Sequence, residues 1–192
     1  MEVIGQKTLW EGKYIKTSII NYKDRNGSER SWEAVGRVDC DGIVIIIPIT
    51  SSNEVILIRQ FRPVLNSYVI ELPAGLINTG EDVLSAGRRE LIEETGHASD
   101  NFTLITWGVM STGIDTDQWS IVLARDVKEV AAEIRRAHPP DESEDIEVIT
   151  MRVDSLYETL DAYASRGDRI DLRIPGLIEL AKRKMNNSTN GL

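Results

Sequence analysis

Five β-branched residues stand in a row at Ile43-Val44-Ile45-Ile46-Ile47, with Asp41-Gly42 before them and Pro48 after. Such side chains lose rotamer freedom in helices and pack well on a pleated surface. No polar residue alternates with them, so the run reads as a strand covered on both faces. The rest of the chain supplies the partners. Asp24-Arg25-Asn26-Gly27 is a strong turn signal between an extended stretch at residues 9–20 and a second strand at 31–38, making a hairpin-like arm. Further strands are expected at 54–61, 67–72, 102–109, 119–124 and 147–153, and helices at 81–95, 154–165 and 175–185. Pro73-Ala74-Gly75 ends the strand before the first helix, and a charged connection over 125–145 holds a short helix before His138-Pro139-Pro140. This order is that of an α+β protein: a mixed β-sheet packed between helices, an α/β/α sandwich, with an N-terminal β arm. The expected division is an arm over residues 1–40, a main domain over 41–185 and a disordered tail over 186–192.

Charge narrows the partners. With 22 basic and 31 acidic residues the chain carries a net −9. That disfavours a binder of long nucleic acid, whose affinity comes from basic patches that release counterions. No apolar run approaches the ~20 residues of a membrane-spanning helix. The first residues lack the pattern of a secretory signal, and the single Cys40 forms no internal disulfide, so the expected compartment is the cytoplasm.

The chemistry concentrates at residues 75–97. Glu90 and Glu94 are four apart, one helical turn, while Glu93 points opposite the stripe of Leu84, Gly87 and Leu91. Like charges at that spacing destabilise a helix by about 0.2–0.5 kcal/mol per pair unless a cation intervenes. Hard oxygen ligands in this number suit Mg²⁺, Mn²⁺ or Ca²⁺ rather than a thiolate-loving metal. A solvated acidic face would carry the same residues; the wider spacing separates the two readings. Gly75, Glu81 and Arg89-Glu90-Leu91-x-Glu93-Glu94-x-Gly96 resemble the Nudix box, the signature of hydrolases acting on a nucleoside diphosphate linked to another group. His97 departs from it, standing where the family has an aliphatic residue.

The resemblance implies a metal site of Glu90, Glu94, Glu93 and the carbonyl of Ala74, holding two or three Mg²⁺ ions with Mn²⁺ as substitute. Arg89 would orient Glu93. Ile58-Arg59-Gln60-Phe61-Arg62, Glu71-Leu72-Pro73-Ala74-Gly75 and Asp141-Glu142-Ser143-Glu144-Asp145-Ile146-Glu147-Val148 are similar to the ADP-ribose and ADP-sugar pyrophosphatase branch. In that branch the arm pairs with a second subunit, which implies a homodimer. The likeness places Trp32 and Tyr14 on the two sides of an adenine and Arg37 and Arg62 on the diphosphate or terminal ribose. Aromatic stacking of a base is worth about 1–3 kcal/mol, and guanidinium forks suit phosphate oxygens. Glu144 matches the carboxylate that activates water, and Asp117 is its competitor. Where ADP-ribose enzymes carry a proline before a glycine, this chain has Thr112 before Gly113. The implied activity is hydrolysis of ADP-ribose to AMP and ribose 5-phosphate. Its alternatives are another ADP-sugar, GDP-mannose, a dinucleotide, or a non-catalytic ADP-ribose sensor.

Overall fold

The fold is that of a computed structural model, which describes residues 1–140 and 145–189. Its centre is β4 (Cys40–Ile49), the strand of the β-branched run. β4 alternates between two cores. Ile45 and Ile47 pack on one side of the sheet, Val44 and Ile46 on the other, and all four are buried.

β5 (Glu54–Arg62) leaves β4 after a single pair, Ile49 opposite Val55, and the two strands splay apart. β6 (Ser67–Glu71) climbs toward the vertex along β5, with Ile58 opposite Glu71. The chain turns at Leu72-Pro73, where the Pro73 carbonyl accepts the Ile46 N–H at 2.9 Å. β7 (Ala74–Asn78) then runs back along β4, with Ala74 opposite Ile45. The sequence reading ends the strand at Pro73 and misses β7. Its short, glycine-containing run has little strand propensity of its own, and its pairing with β4 makes it a strand.

α1 (Val83–Thr95) follows, starting two residues later than the sequence reading has it. Asp82 is the cap: its Oδ1 accepts the N–H groups of Leu84 at 3.1 Å and Ser85 at 3.0 Å. Gly96 closes the helix in the left-handed region at φ 67°, with its N–H on the Ile92 carbonyl. Ala86 and Leu91 of α1 cover the Val44/Ile46 face.

β8 (His97–Ala98) and β9 (Asn101–Gly108) lead to β10 (Trp119–Arg125), which runs parallel to β4 on the side away from β7. β11 (Lys128–Glu129) and the short α2 (Ala132–Ala137) precede β12 (Ile146–Arg152), antiparallel to β5. α3 (Leu156–Ser165), β13 (Arg169–Ile170) and α4 (Arg173–Thr189) end the described chain. Leu156 and Leu160 of α3 and Ile174 and Ile178 of α4 cover the Ile45/Ile47 face, completing the α/β/α sandwich. α4 continues through Thr189, past residue 185 where the hydrophobic pattern ends.

The arm is a separate antiparallel sheet of β1 (Glu2–Glu11), β2 (Ile15–Lys23) and β3 (Glu29–Arg37). It has three strands rather than a hairpin's two. The chain reverses after Glu11, where the Gly12 N–H bonds the Ile15 carbonyl at 2.9 Å, inside the stretch that reads as one strand.

Candidate active site

The fork between β4 and β5 brings Glu71, Ala74 and Gly75 to one place, and α1 lies across β7. Two helix carboxylates meet the backbone there. Glu94 is 4% exposed, and its Oε2 accepts the Ala74 N–H at 2.9 Å. Glu90 lies against Gly75: a Cβ at that position would occupy the space of its carboxylate group. Glycine is therefore required at 75 by close approach.

Arg89 ties the loop to the helix. Its Nε and Nη2 grip both oxygens of Glu81 at 3.1 and 2.9 Å, and Nη2 also donates to the Leu76 carbonyl at 2.9 Å. Nη1 reaches Glu90 at 2.7 Å and Glu93 at 3.1 Å. The Arg89 guanidinium, together with the N–H of Asn78, holds the Glu81 carboxyl below the usual carboxylate range, although burial opposes this. The same bonds raise Arg89 further above its ordinary value. The sequence singles out Glu81 only as a box position; its clamp on Arg89 is what the structure adds.

One guanidinium faces the carboxylates of Glu81, Glu90 and Glu93, with Glu94 a turn away, so the region stays negative. Among the described residues no three Asp, Glu, His or Cys side chains close into a finished ion cage.

Arg62 and Glu71 form a pair on this sheet face, Nε to Oε2 2.7 Å. Gln60 lies in the same strand row, 4% exposed, and its Oε1 has no hydrogen-bond partner. A cleft of about 510 Å³ between β6 and the β13–α4 turn reaches Glu71, but not the glutamates of α1.

The arm carries the other predicted residues. Trp32 is half exposed, and its Nε1–H donates to the Gly113 carbonyl at 2.8 Å. Tyr14 is exposed, with the Lys13 ammonium 4.8 Å from its ring centre. The two rings are not brought together within one chain. Tyr14 accepts the Val38 N–H, and Trp32 is six residues back along the strand, roughly 20 Å. Arg37 is partly exposed, and its backbone N–H donates to Asp117 Oδ1 at 2.9 Å. Asp117 precedes β10, on the opposite side of β4 from β7, so it stands at least two strand spacings, about 10 Å, from Ala74. Glu144 lies outside the described residues.

The NUDIX domain family matches residues 41–170. The chain is 33% identical over 168 residues to an ADP-sugar pyrophosphatase of Mus musculus, covering 83% of this chain and 77% of that protein. It is 28% identical over 168 residues to an ADP-ribose pyrophosphatase of Bacillus subtilis, covering 86% and 87%. A crystal structure of an ADP compounds hydrolase superposes with a TM-score of 0.75 at 22% identity, covering 97% of this chain and 94% of the other.

Proposed function

This chain belongs to the NUDIX domain family, and from that premise we propose that it is a metal-dependent pyrophosphatase of nucleoside diphosphate sugars, cleaving ADP-ribose to AMP and ribose 5-phosphate. The observation that carries the reading is the meeting of Glu90 and Glu94 with the backbone of Gly75 and Ala74. The names of the mouse and Bacillus subtilis relatives support the substrate class.

The residues fit a divalent ion. Gly75 leaves room for a carboxylate on bare backbone, the donors are hard oxygens, and the local charge is negative. Glu90, Glu94, Glu93 and the Ala74 carbonyl would hold it, with two or three Mg²⁺ ions as the proposed complement. Bound there, the metal supplies charge neutralisation at the diphosphate and lowers the pKa of water.

The chain's own residues do the rest. Arg89 keeps Glu90 and Glu93 at the site and ties them to the loop through Glu81 and the Leu76 carbonyl. Arg62 presents a guanidinium at the fork and Arg37 one at the arm, each suited to phosphate oxygens. Trp32, fixed through its indole N–H, offers an aromatic face to adenine. Glu144 is assigned the proton of the attacking water by family likeness. Water oxygen bonds to one phosphorus, the bridging P–O bond breaks, and the leaving phosphate carries away the bond's electrons.

Homodimerisation through the arm is part of the reading. A base stacked between Trp32 and Tyr14 needs the two rings within several ångströms, so the roughly 20 Å of strand between them supports their coming from different copies.

The test is product identification with ADP-ribose, ADP-glucose, GDP-mannose and NADH, with Mg²⁺ and with EDTA. AMP released mainly from ADP-ribose, and abolished by EDTA, is the expected result; Glu94→Gln should lower kcat by about 10²-fold or more with the thermal midpoint retained. Turnover of a different compound moves the substrate and keeps the chemistry. Tight ADP-ribose binding without any turnover overturns the enzymatic reading in favour of a sensor.

A further inference from the structure

The arm forms its own sheet, so something else must fix its place on the catalytic body. Among the described residues, every hydrogen bond from β3 to a residue outside the arm ends on residues 113–117. Val35 donates its N–H to the Ile114 carbonyl at 2.8 Å and accepts that of Thr116 at 2.9 Å. Trp32 Nε1–H reaches the Gly113 carbonyl at 2.8 Å. Arg37 N–H ends on Asp117 Oδ1 at 2.9 Å, with the Arg37 Nε 3.9 Å from Oδ2. The fit is close at Gly36, where a Cβ would collide with the Thr116 hydroxyl.

The loop is itself braced from the body side. Asp115 Oδ1 accepts the Asp117 N–H at 2.9 Å, and Asp115 Oδ2 accepts the indole N–H of Trp119, the first residue of β10. The Asp117 side chain is 13% exposed, with one oxygen already committed to a backbone donor. A general base needs hydrogen-bond reach to the water it deprotonates. Asp117 faces the arm instead, across β4 from the Ala74 turn.

We propose that residues 113–117 are the clamp that sets the arm on the body, and that Asp117 is its positioning residue, holding the strand that presents Trp32 and Arg37 to the substrate. The proposal rests on the reading of Trp32 and Arg37 as substrate-binding residues. Three of the five bonds along β3 use a loop backbone atom as partner and two use a loop side chain: the Thr116 hydroxyl donates at 3.3 Å to the Val35 carbonyl, which the Thr116 N–H already serves, whereas the Arg37 N–H depends on the Asp117 side chain. Truncating that side chain frees the end of β3 next to the body. The carboxylates at the fork keep their contacts in such a variant, because Asp117 stands across β4 from the Ala74 turn.

The test compares Asp117→Ala with Asp117→Asn, whose amide oxygen still accepts the Arg37 N–H. In Asp117→Ala, amide exchange at Arg37 should quicken about tenfold or more. Its KM for ADP-ribose should rise about tenfold with kcat within about threefold of the parent. Asp117→Asn should restore the exchange rate and the KM. Loss of kcat in both variants at unchanged KM, with the acid limb of the pH–rate profile removed, would make Asp117 a proton-transfer group and overturn the proposal. Unchanged exchange at Arg37 in Asp117→Ala overturns it as well. Should the parent protein hydrolyse none of the nucleotide sugars, the function fails, and the exchange measurement still decides the clamp.

Discussion

Arg89 illustrates how one side chain organises several like charges. Its guanidinium contacts Glu81, Glu90 and Glu93, so the repulsion expected along this acidic helix is relieved before any metal arrives. Glu81 contributes most to the exchange: it accepts two bonds from Arg89 and two from Asn78. Its carboxyl is held below the ordinary 4.5, chiefly by Arg89. A carboxylate whose folded pKa is depressed contributes stability that is complete above its unfolded value and is lost as pH falls through the folded one. Wild type should therefore lose stability on acidification below pH 4.5 more steeply than Glu81→Gln does. Urea unfolding from pH 7 down to about pH 3 measures both slopes. The slope should shrink rather than vanish, because Asp82 is lowered as well by its bonds at the helix start. Parallel curves for the two proteins would remove Glu81 from the account. The partner of Glu81 is eight residues away and one helix start off, near enough for the sequence to place both in one segment. Which of the four glutamates takes both forks of Arg89 depended on the turn after β7, which has no sequence signal of its own.

Elements differ in how openly they declare themselves. α1 was legible because a helical stripe, acidic residues at one end and Gly96 at the other all agree. The β-branched run of β4 was legible because its burial on both faces follows from composition alone. β7 was not, since Ala74–Asn78 becomes a strand only by pairing with a segment thirty residues earlier. Two conspicuous glycines of this region, Gly75 in β7 and Gly87 in α1, have opposite status. Gly75 faces the Glu90 carboxylate at a distance that leaves no space for a methyl group. Gly87 faces Phe102, Val44 and Ile46, and an added Cβ would meet them at 3.5–3.7 Å, ordinary contact. Close packing therefore does not require glycine at 87, contrary to what a buried helical glycine suggests. Gly87→Ala should stabilise the protein by about 1 kcal/mol through helix propensity, with activity kept. A chemical denaturation midpoint that moves up, at constant slope, is the confirming result; a lower one would mean that the sheet cannot accept the methyl.

At the scale of the whole molecule, the arm leaves a whole strand with apolar side chains uncovered within the single chain. Every residue of β1 is exposed, among them Val3, Leu9 and Trp10, and a strand edge with apolar side chains is a ready surface for another chain. The clamp at 113–117 was invisible in sequence because its partners are about eighty residues apart, and neither side carries a recognisable motif. The separation of Tyr14 from Trp32 was equally hidden, since it depends on the register of β2 against β3, where Ile15 faces Arg37 and Ile20 faces Trp32. If adenine lies between a Trp32 and a Tyr14 of different copies, the two residues should complement across a dimer. Trp32→Ala and Tyr14→Ala should each raise KM for ADP-ribose when assayed alone. When the two are mixed and allowed to exchange subunits, half of the dimers are mixed, and in each of those one site pairs an intact Trp32 with an intact Tyr14. About a quarter of all sites should then regain the low KM. Sedimentation at assay concentration must show a dimer for the mixing to report anything, and a monomer there would by itself refute the shared site. Dimers that exchange freely, as followed with a mass-tagged copy, yet recover no low-KM fraction would return both rings to one chain and leave Tyr14 without a role at the base. Recovery near a quarter would instead make the arm a component of its neighbour's site, and the Asp117 clamp the joint that sets where it is delivered.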